Sequence, residues 1–131
     1  MIVVDASVLV EIVLRPHQNS KILSLIAGHE FVHAPSIVDL EVMNAFRKPL
    51  LRGEFSADDA ERALAAYFHL RIERHISGPT ELRFIWQLRD TITPYDAAYV
   101  ALAKSLDLPL ITTDKKLAKS ASKWIAVQTA P

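Results

Sequence analysis

The chain has 131 residues, 50% of them hydrophobic, and its 15 basic and 15 acidic side chains balance to zero formal charge. It has no cysteine, which excludes disulfides and thiolate metal sites, and its neutrality excludes coating of nucleic acid by bulk attraction, so any such contact must rest on local patches or bound cations. No apolar run approaches the ~20 residues that cross a bilayer, and the start, Met1-Ile2-Val3-Val4-Asp5, lacks the basic segment of a signal peptide; a reducing cytoplasm is the expected setting.

In chain order, Ile2, Val3 and Val4 form a short β-branched run that predicts a buried strand. A helix is expected over 8–14, stopped near Pro16, and a second over 18–27, ending at Gly28. Phe31 and Val32 mark a strand over 30–33. A helix follows over 36–46 with Ser36 as its N-cap, Pro49 as a kink or stop, and Gly53 as the close. Ser56-Ala57-Asp58-Asp59 reads as a capping box for a helix to His69. A strand is expected over 70–76, and a helix over 79–88 with proline at its first position. Thr93 or Pro94 opens a helix to Leu106, before a strand over 110–113, a short helix over 115–120 and a last strand over 124–127. Strands alternating with helices predict one α/β domain spanning 1–131, a sandwich around a mainly parallel sheet.

Acids fall at informative places in that order. Asp5 and Asp114 each close a predicted strand, and open parallel sheets bind ligands beyond the carboxyl ends of their strands. Asp96 stands in the first turn of its helix, beside an apolar stripe of Tyr95, Tyr99, Leu102 and Leu106. Glu41 falls mid-helix on a face shared with Ile37, Val38 and Ala45, where an unpaired charge is costly and a cation is one remedy. Asn44, three residues on, lies near that face and is placed to hold the carboxylate or a metal-bound water. Each acid also has an ordinary use. Asp5 and Asp114 suit helix N-caps, Asp96 completes a capping box with Thr93, and Glu41 suits pairing with a buried Arg or Lys.

Four segments then resemble one family. Ile2-Val3-Val4-Asp5-Ala6-Ser7 is similar to a hydrophobic-Asp-x-Ser opening, and Glu41-Val42-Met43-Asn44 to a helical Glu-x-x-Asn segment. Thr93-Pro94-Tyr95-Asp96-Ala97-Ala98-Tyr99 is the most specific stretch, and Leu110-Ile111-Thr112-Thr113-Asp114 is similar to a closing Thr-x-Asp motif. Together, and over nearly the whole chain, they resemble the PIN-domain ribonucleases, and within them the VapC toxins of bacterial toxin–antitoxin pairs.

The resemblance implies a three-layer α/β/α sandwich and a metal-dependent endoribonuclease. Its acidic quartet would be Asp5, Glu41, Asp96 and Asp114, supported by Ser7, Asn44 and Thr112. The cofactor implied is Mg²⁺ or Mn²⁺, hard cations suited to carboxylate oxygens. Where some relatives carry a further acid after the closing Asp, this chain has Lys115, Lys116 and Leu117, so one ion or two remains open. The resemblance also implies an RNA substrate, a VapB-type antitoxin and a homodimer.

Arg15, Arg47, Lys48, Arg52, Lys115, Lys116 and Lys119 are candidate phosphate contacts, each equally an ordinary solvated charge. His17, His29, His33, His69 and His75 show no ligand spacing and are read as surface or packing residues. Phe84, Ile85 and Trp86 are read as core or dimer contacts. The competing readings from residues alone are a non-catalytic acidic α/β binding module for a peptide or RNA, and a receiver-like phosphoacceptor domain. The second gives Glu41, Asn44 and the Tyr95-Asp96 helix no role.

Overall fold

The computed structural model describes residues 1–130. Five strands, β1 (Ile2–Val4), β2 (Val32–Pro35), β3 (Ile72–His75), β4 (Leu110–Thr112) and β5 (Val127–Thr129), form one sheet in the order β3-β2-β1-β4-β5. Every pairing is parallel, which sharpens the expected "mainly parallel" sheet. Seven α-helices flank it: α1 (Ala6–Leu14), α2 (Ser20–Ala27), α3 (Val38–Leu51), α4 (Ala57–Phe68), α5 (Pro79–Gln87), α6 (Pro94–Leu106) and α7 (Lys115–Ala121). A 3₁₀ turn, Pro16–Gln18, separates α1 from α2. The result is an α/β sandwich. Helix α1 packs on α2, α3 and α4, while α5 packs on α6, and α6 lies across β1, β2 and β4.

The two central strands are apolar up to Thr112, the last residue of β4. Val3, Val4, Leu110 and Ile111 are buried, as expected of strands covered on both faces. The chain builds outward from β1 through β2 to β3, then returns to β4 on the other side of β1. The carboxyl ends of β1 and β4 therefore form a topological switch point, the usual crevice of open α/β sheets.

Several predicted boundaries move, each for a local reason. Ser36 does not cap α3: its N–H still bonds the His75 carbonyl at 2.9 Å, extending the β2–β3 ladder, and the helix starts beyond Ile37 without a side-chain cap. Pro49 neither ends nor replaces the last turn of α3, which runs on to Leu51. The final strand starts later than expected because the N–H groups of Trp124 and Ile125 both bond the Ala121 carbonyl, wrapping that segment around the end of α7. The Ser56–Asp59 capping box forms as read, with reciprocal bonds.

Helix α6 departs most from expectation. Its buried face keeps Tyr99 and Leu102 of the expected stripe, with Leu106 packed against the core, but Tyr95 is 58% exposed and burial extends to every residue from Ala97 to Ala103. Ala97, Ala98, Ala101 and Ala103 are small enough for this helix to lie close against the strands and be covered all round. That close approach carries the α6 N-terminus, with Asp96, toward the switch point.

Candidate active site

Asp5 follows β1 directly and caps α1, its Oδ1 accepting from the Val8 N–H at 3.2 Å. The same oxygen accepts from the Ser7 hydroxyl, and the Thr112 hydroxyl donates to Oδ2. Thr112 ends β4 and is fully buried; its hydroxyl oxygen also accepts from the Asp114 N–H at 3.0 Å. One hydroxyl thus bridges the two strand ends. Ser7 makes a second bridge, accepting from the Thr113 hydroxyl at 2.7 Å and the Thr113 N–H at 3.3 Å. Asp114 in turn caps α7, with Oδ1 accepting from the N–H groups of Lys116 and Leu117 at 2.9 and 3.0 Å. The capping use of Asp5 and Asp114 is therefore present, and it fixes both carboxylates at the crevice instead of competing with a site role.

Asp96 makes only half of a capping box. The Thr93 hydroxyl accepts from the Asp96 N–H at 3.2 Å, without the reciprocal bond that closes the Ser56 box. Glu41 lies in the first turn of α3, not mid-helix, because the helix begins only at Val38. Neither Arg nor Lys holds it. Its Oε1 accepts from the buried Tyr99 hydroxyl at 2.6 Å. Asn44 is exposed and makes no hydrogen bond to Glu41.

Electrostatics ties the quartet together. Burial pushes the Asp5 carboxyl above its ordinary value; Ser7, Thr112 and the Val8 N–H pull it back, and the Asp96 charge adds to the rise. Burial likewise raises Glu41, with the Tyr99 hydroxyl opposing and the charges of Asp96 and Asp5 adding. Asp96 is raised by burial and then by Asp114, with Thr93 opposing. The charge of Asp96 thus reaches both Asp5 and Glu41, and Asp96 in turn feels Asp114. Carboxyls raised by burial and by one another's charge, at the mouth of a crevice, make this cluster a candidate functional site.

The residues fit a hard divalent cation. Every donor in the quartet is a carboxylate oxygen, and a cation would offset both the burial that holds three of the carboxyls up and the repulsion that adds to it. The quartet is open: among the described residues, the set of three ligand groups lying within 4.8 Å of one another is elsewhere, at His33, Glu73 and His75. An open set suits Mg²⁺, which keeps several waters and takes only one or two carboxylates.

A cleft of about 470 Å³ opens on this centre, between the α5–α6 connection and α7. Asp96 and Asp114 line it, together with Thr91, Thr93, Arg89 and Lys116. Lys116 was among the expected phosphate contacts; Arg89 was not, and it sits over the exposed Trp86 ring, 4.7 Å from the centroid. Trp86 is thus not a core residue, although Ile85 is. Arg15 and Arg52 are paired with Glu11 and Glu54 instead.

Sequence reasoning missed Tyr99 and Thr113 as site residues. Tyr99 was legible only as apolar surface, yet a buried tyrosine hydroxyl needs a partner, and that requirement was the available signal. Thr113 carried none.

Comparison with known proteins gives a consistent result. The family model described as PIN domain matches residues 2–123. Ribonuclease VapC1 of Mycobacterium tuberculosis is 38% identical over 116 residues, covering 88% of this chain and 87% of its own. Ribonuclease VapC12 of the same organism is 39% identical over 120 residues, covering 92% of each. Among solved structures, PAE2754 from Pyrobaculum aerophilum superposes with a TM-score of 0.71 over 95% of this chain and 81% of that one; at 24% identity it speaks for the fold alone.

Proposed function

Since the chain belongs to the PIN-domain family, in its VapC branch, we propose that it is a divalent-metal-dependent endoribonuclease acting as the toxin of a type II toxin–antitoxin pair. The observation that carries this reading is the crevice at the ends of β1 and β4, where Thr112 bridges Asp5 to Asp114 and the charges of Glu41 and Asp96 join them. Mg²⁺ or Mn²⁺, as one ion or two, would neutralise phosphate oxygens and lower the pKa of a bound water at these carboxylates.

The chain's own residues supply the rest. Asp5, Asp96 and Asp114 present the oxygens that hold the cation. Glu41, anchored by Tyr99, orients the attacking water or holds a second ion. Ser7 and Thr112 fix the Asp5 carboxylate, because a ligand held by outer hydrogen bonds keeps its geometry when charge builds up. Lys116 and Arg89 on the cleft walls meet flanking phosphates, where a local cation compensates for the chain's zero net charge.

The same reading includes a VapB-type antitoxin that places a basic side chain into the acid cluster, and a homodimer. Exposed Leu82 and Tyr95, which line one apolar cleft with Ile37 and Ile85, support a protein partner, since apolar side chains grouped at a surface favour contact. No helix among the described residues is long and apolar enough to cross a membrane.

The test is cleavage of structured RNA with and without chelator, paired with mapping of RNA 5′ ends in cells after brief expression of wild type and Asp96→Asn. Sharp new ends that need Mg²⁺ or Mn²⁺ and vanish in the variant are expected. A folded Asp96→Asn protein that cuts at the wild-type rate would overturn the assignment. Absence of any cleavage would favour the binding-module alternative.

A further inference from the structure

A second cluster of ligand-type side chains lies outside the acidic crevice, on the β2–β3 edge of the sheet. In the parallel register His33 stands opposite Glu73, and Pro35 opposite His75. Side chains alternate faces along a strand, so His33, Glu73 and His75 share one face. Their contacts are close: His33 Nδ1 lies 2.9 Å from His75 Nε2 and 3.8 Å from Glu73 Oε2. The imidazole rings are 5.1 Å apart at 40°. Arg74, between them in sequence, is turned to Asp39, which it grips with two hydrogen bonds of 2.8 Å. No guanidinium therefore neutralises Glu73 from the neighbouring position.

The geometry points to a binding site for a borderline divalent transition ion, Zn²⁺ as the type case, held by His33 Nδ1, His75 Nε2 and a Glu73 carboxylate oxygen. Two imidazoles and one carboxylate match the donor preferences of such an ion and its three-ligand sites, with the fourth position left to water. Zn–N bonds of about 2.05 Å in tetrahedral geometry place two nitrogens about 3.3 Å apart, so the pair needs to open by only about 0.4 Å from its present 2.9 Å. The edge position permits that shift: β3 pairs only with β2, and Glu73 is 56% exposed at its side chain.

A second observation concerns His33 itself. It is 6% exposed and its Nε2 is buried without a hydrogen-bond partner, so Nδ1, which faces His75 and Glu73, is the nitrogen this ring presents to the cluster. With an ion on Nδ1, the proton occupies that unpartnered Nε2, which weakens binding by about 10–100-fold relative to sites whose second ring nitrogen is hydrogen-bonded. The two sites differ in chemistry. The quartet offers oxygen alone, whereas this cluster offers nitrogen, so Mg²⁺ should fill the first and ignore the second. Binding here would clasp the edge strand to its neighbour, and the inference stands independently of the ribonuclease reading.

The experiment is calorimetric titration of metal-free protein with ZnCl₂ in excess Mg²⁺, with Co²⁺ absorption as a coordination readout. One equivalent is expected to bind to wild type and equally to Asp96→Asn. His75→Ala and Glu73→Gln change exposed or half-exposed positions and should fold; they should bind at least about 10-fold more weakly and lose the tetrahedral Co²⁺ bands. Zn²⁺ at about 100 times its Kd should raise the wild-type melting temperature by about 10 °C and leave that of His75→Ala unmoved. The proposal is overturned if Zn²⁺ does not bind, if His75→Ala binds as wild type does, or if binding disappears in Asp96→Asn.

Discussion

Replacing Tyr99 by Phe isolates one hydroxyl. The ring is 1% exposed and Phe fills the same space, so no cavity or overpacking confuses the result. What disappears is the 2.6 Å bond to Glu41. A hydrogen bond to a charged group is worth about 1.5–3 kcal/mol, but Glu41 is only half-buried and water can replace the donor, which leaves about 1–1.5 kcal/mol. For 131 residues, unfolding entropy near 2.1 cal/mol/K per residue converts this to a melting temperature lower by about 4–5 °C. The functional effect should be larger. Outer hydrogen bonds to ligand groups typically carry about 10–100-fold in metal affinity or activity. The bond also pulls the Glu41 pKa down against burial, so its loss raises that pKa further and moves the acid limb of the pH–rate profile toward higher pH. The assays are thermal melting, RNA cleavage against Mg²⁺ concentration, and a pH–rate profile. A variant that loses stability but retains wild-type cleavage and an unmoved acid limb would refute the positioning role and leave Tyr99 as packing alone.

Asp96→Asn should make the metal-free protein more stable at neutral pH, by about 1 kcal/mol or about 4 °C, because it removes a repelling charge from a partly screened cluster. Asp5, Glu41 and Asp96 are all held above their ordinary values. Their protonated forms thus contribute stability that is present below the ordinary carboxylate range and is lost as pH rises through the folded values. Acidification from pH 7 should consequently stabilise metal-free wild type relative to the variant, and Mg²⁺ should remove the advantage of the variant; melting curves across pH check both, and a less stable metal-free Asp96→Asn protein at pH 7 would contradict them. Thr112→Val, nearly isosteric and fully buried, should cost about 2–4 kcal/mol, since it strips a donor from Asp5 and an acceptor from the Asp114 N–H, whereas Thr112→Ser should restore most of the loss in denaturant titration.

Local signals in the chain were read accurately where the physics is local. Ser56 and Asp59 are three residues apart, and the capping box they announce is the one that forms. Ile2, Val3 and Val4 need only burial to be a strand. The places of Asp5, Asp96 and Asp114 were also legible, because each sits at a strand end or helix start whose location follows from nearby residues, whereas Glu41 was read as mid-helix because the start of α3 was set too early. What escaped reading depends on partners far along the chain. Ser36 looked like a cap until β3 claimed its N–H. Glu41 looked like a group in need of a cation or an arginine until Tyr99, 58 residues later, supplied a hydroxyl. His33 and His75 show no ligand spacing because their proximity is created by strand register across 42 residues.

The Thr112 bridge to Asp5 spans 107 positions of sequence and joins the first strand to the fourth. On a ribosome, β1, β2 and β3 and the helices between them are synthesised before residue 110 exists, and N-terminal elements begin to settle in that interval. During that time Asp5 lacks the hydroxyl that fixes it, and Asp114 has not been made. Under the proposed activity, a polypeptide that ends before β4 should not cleave RNA, because its acidic site is incomplete. Competence would arrive in one late event, the insertion of β4 beside β1, which gives Asp5 its hydroxyl and sets Asp114 next to it.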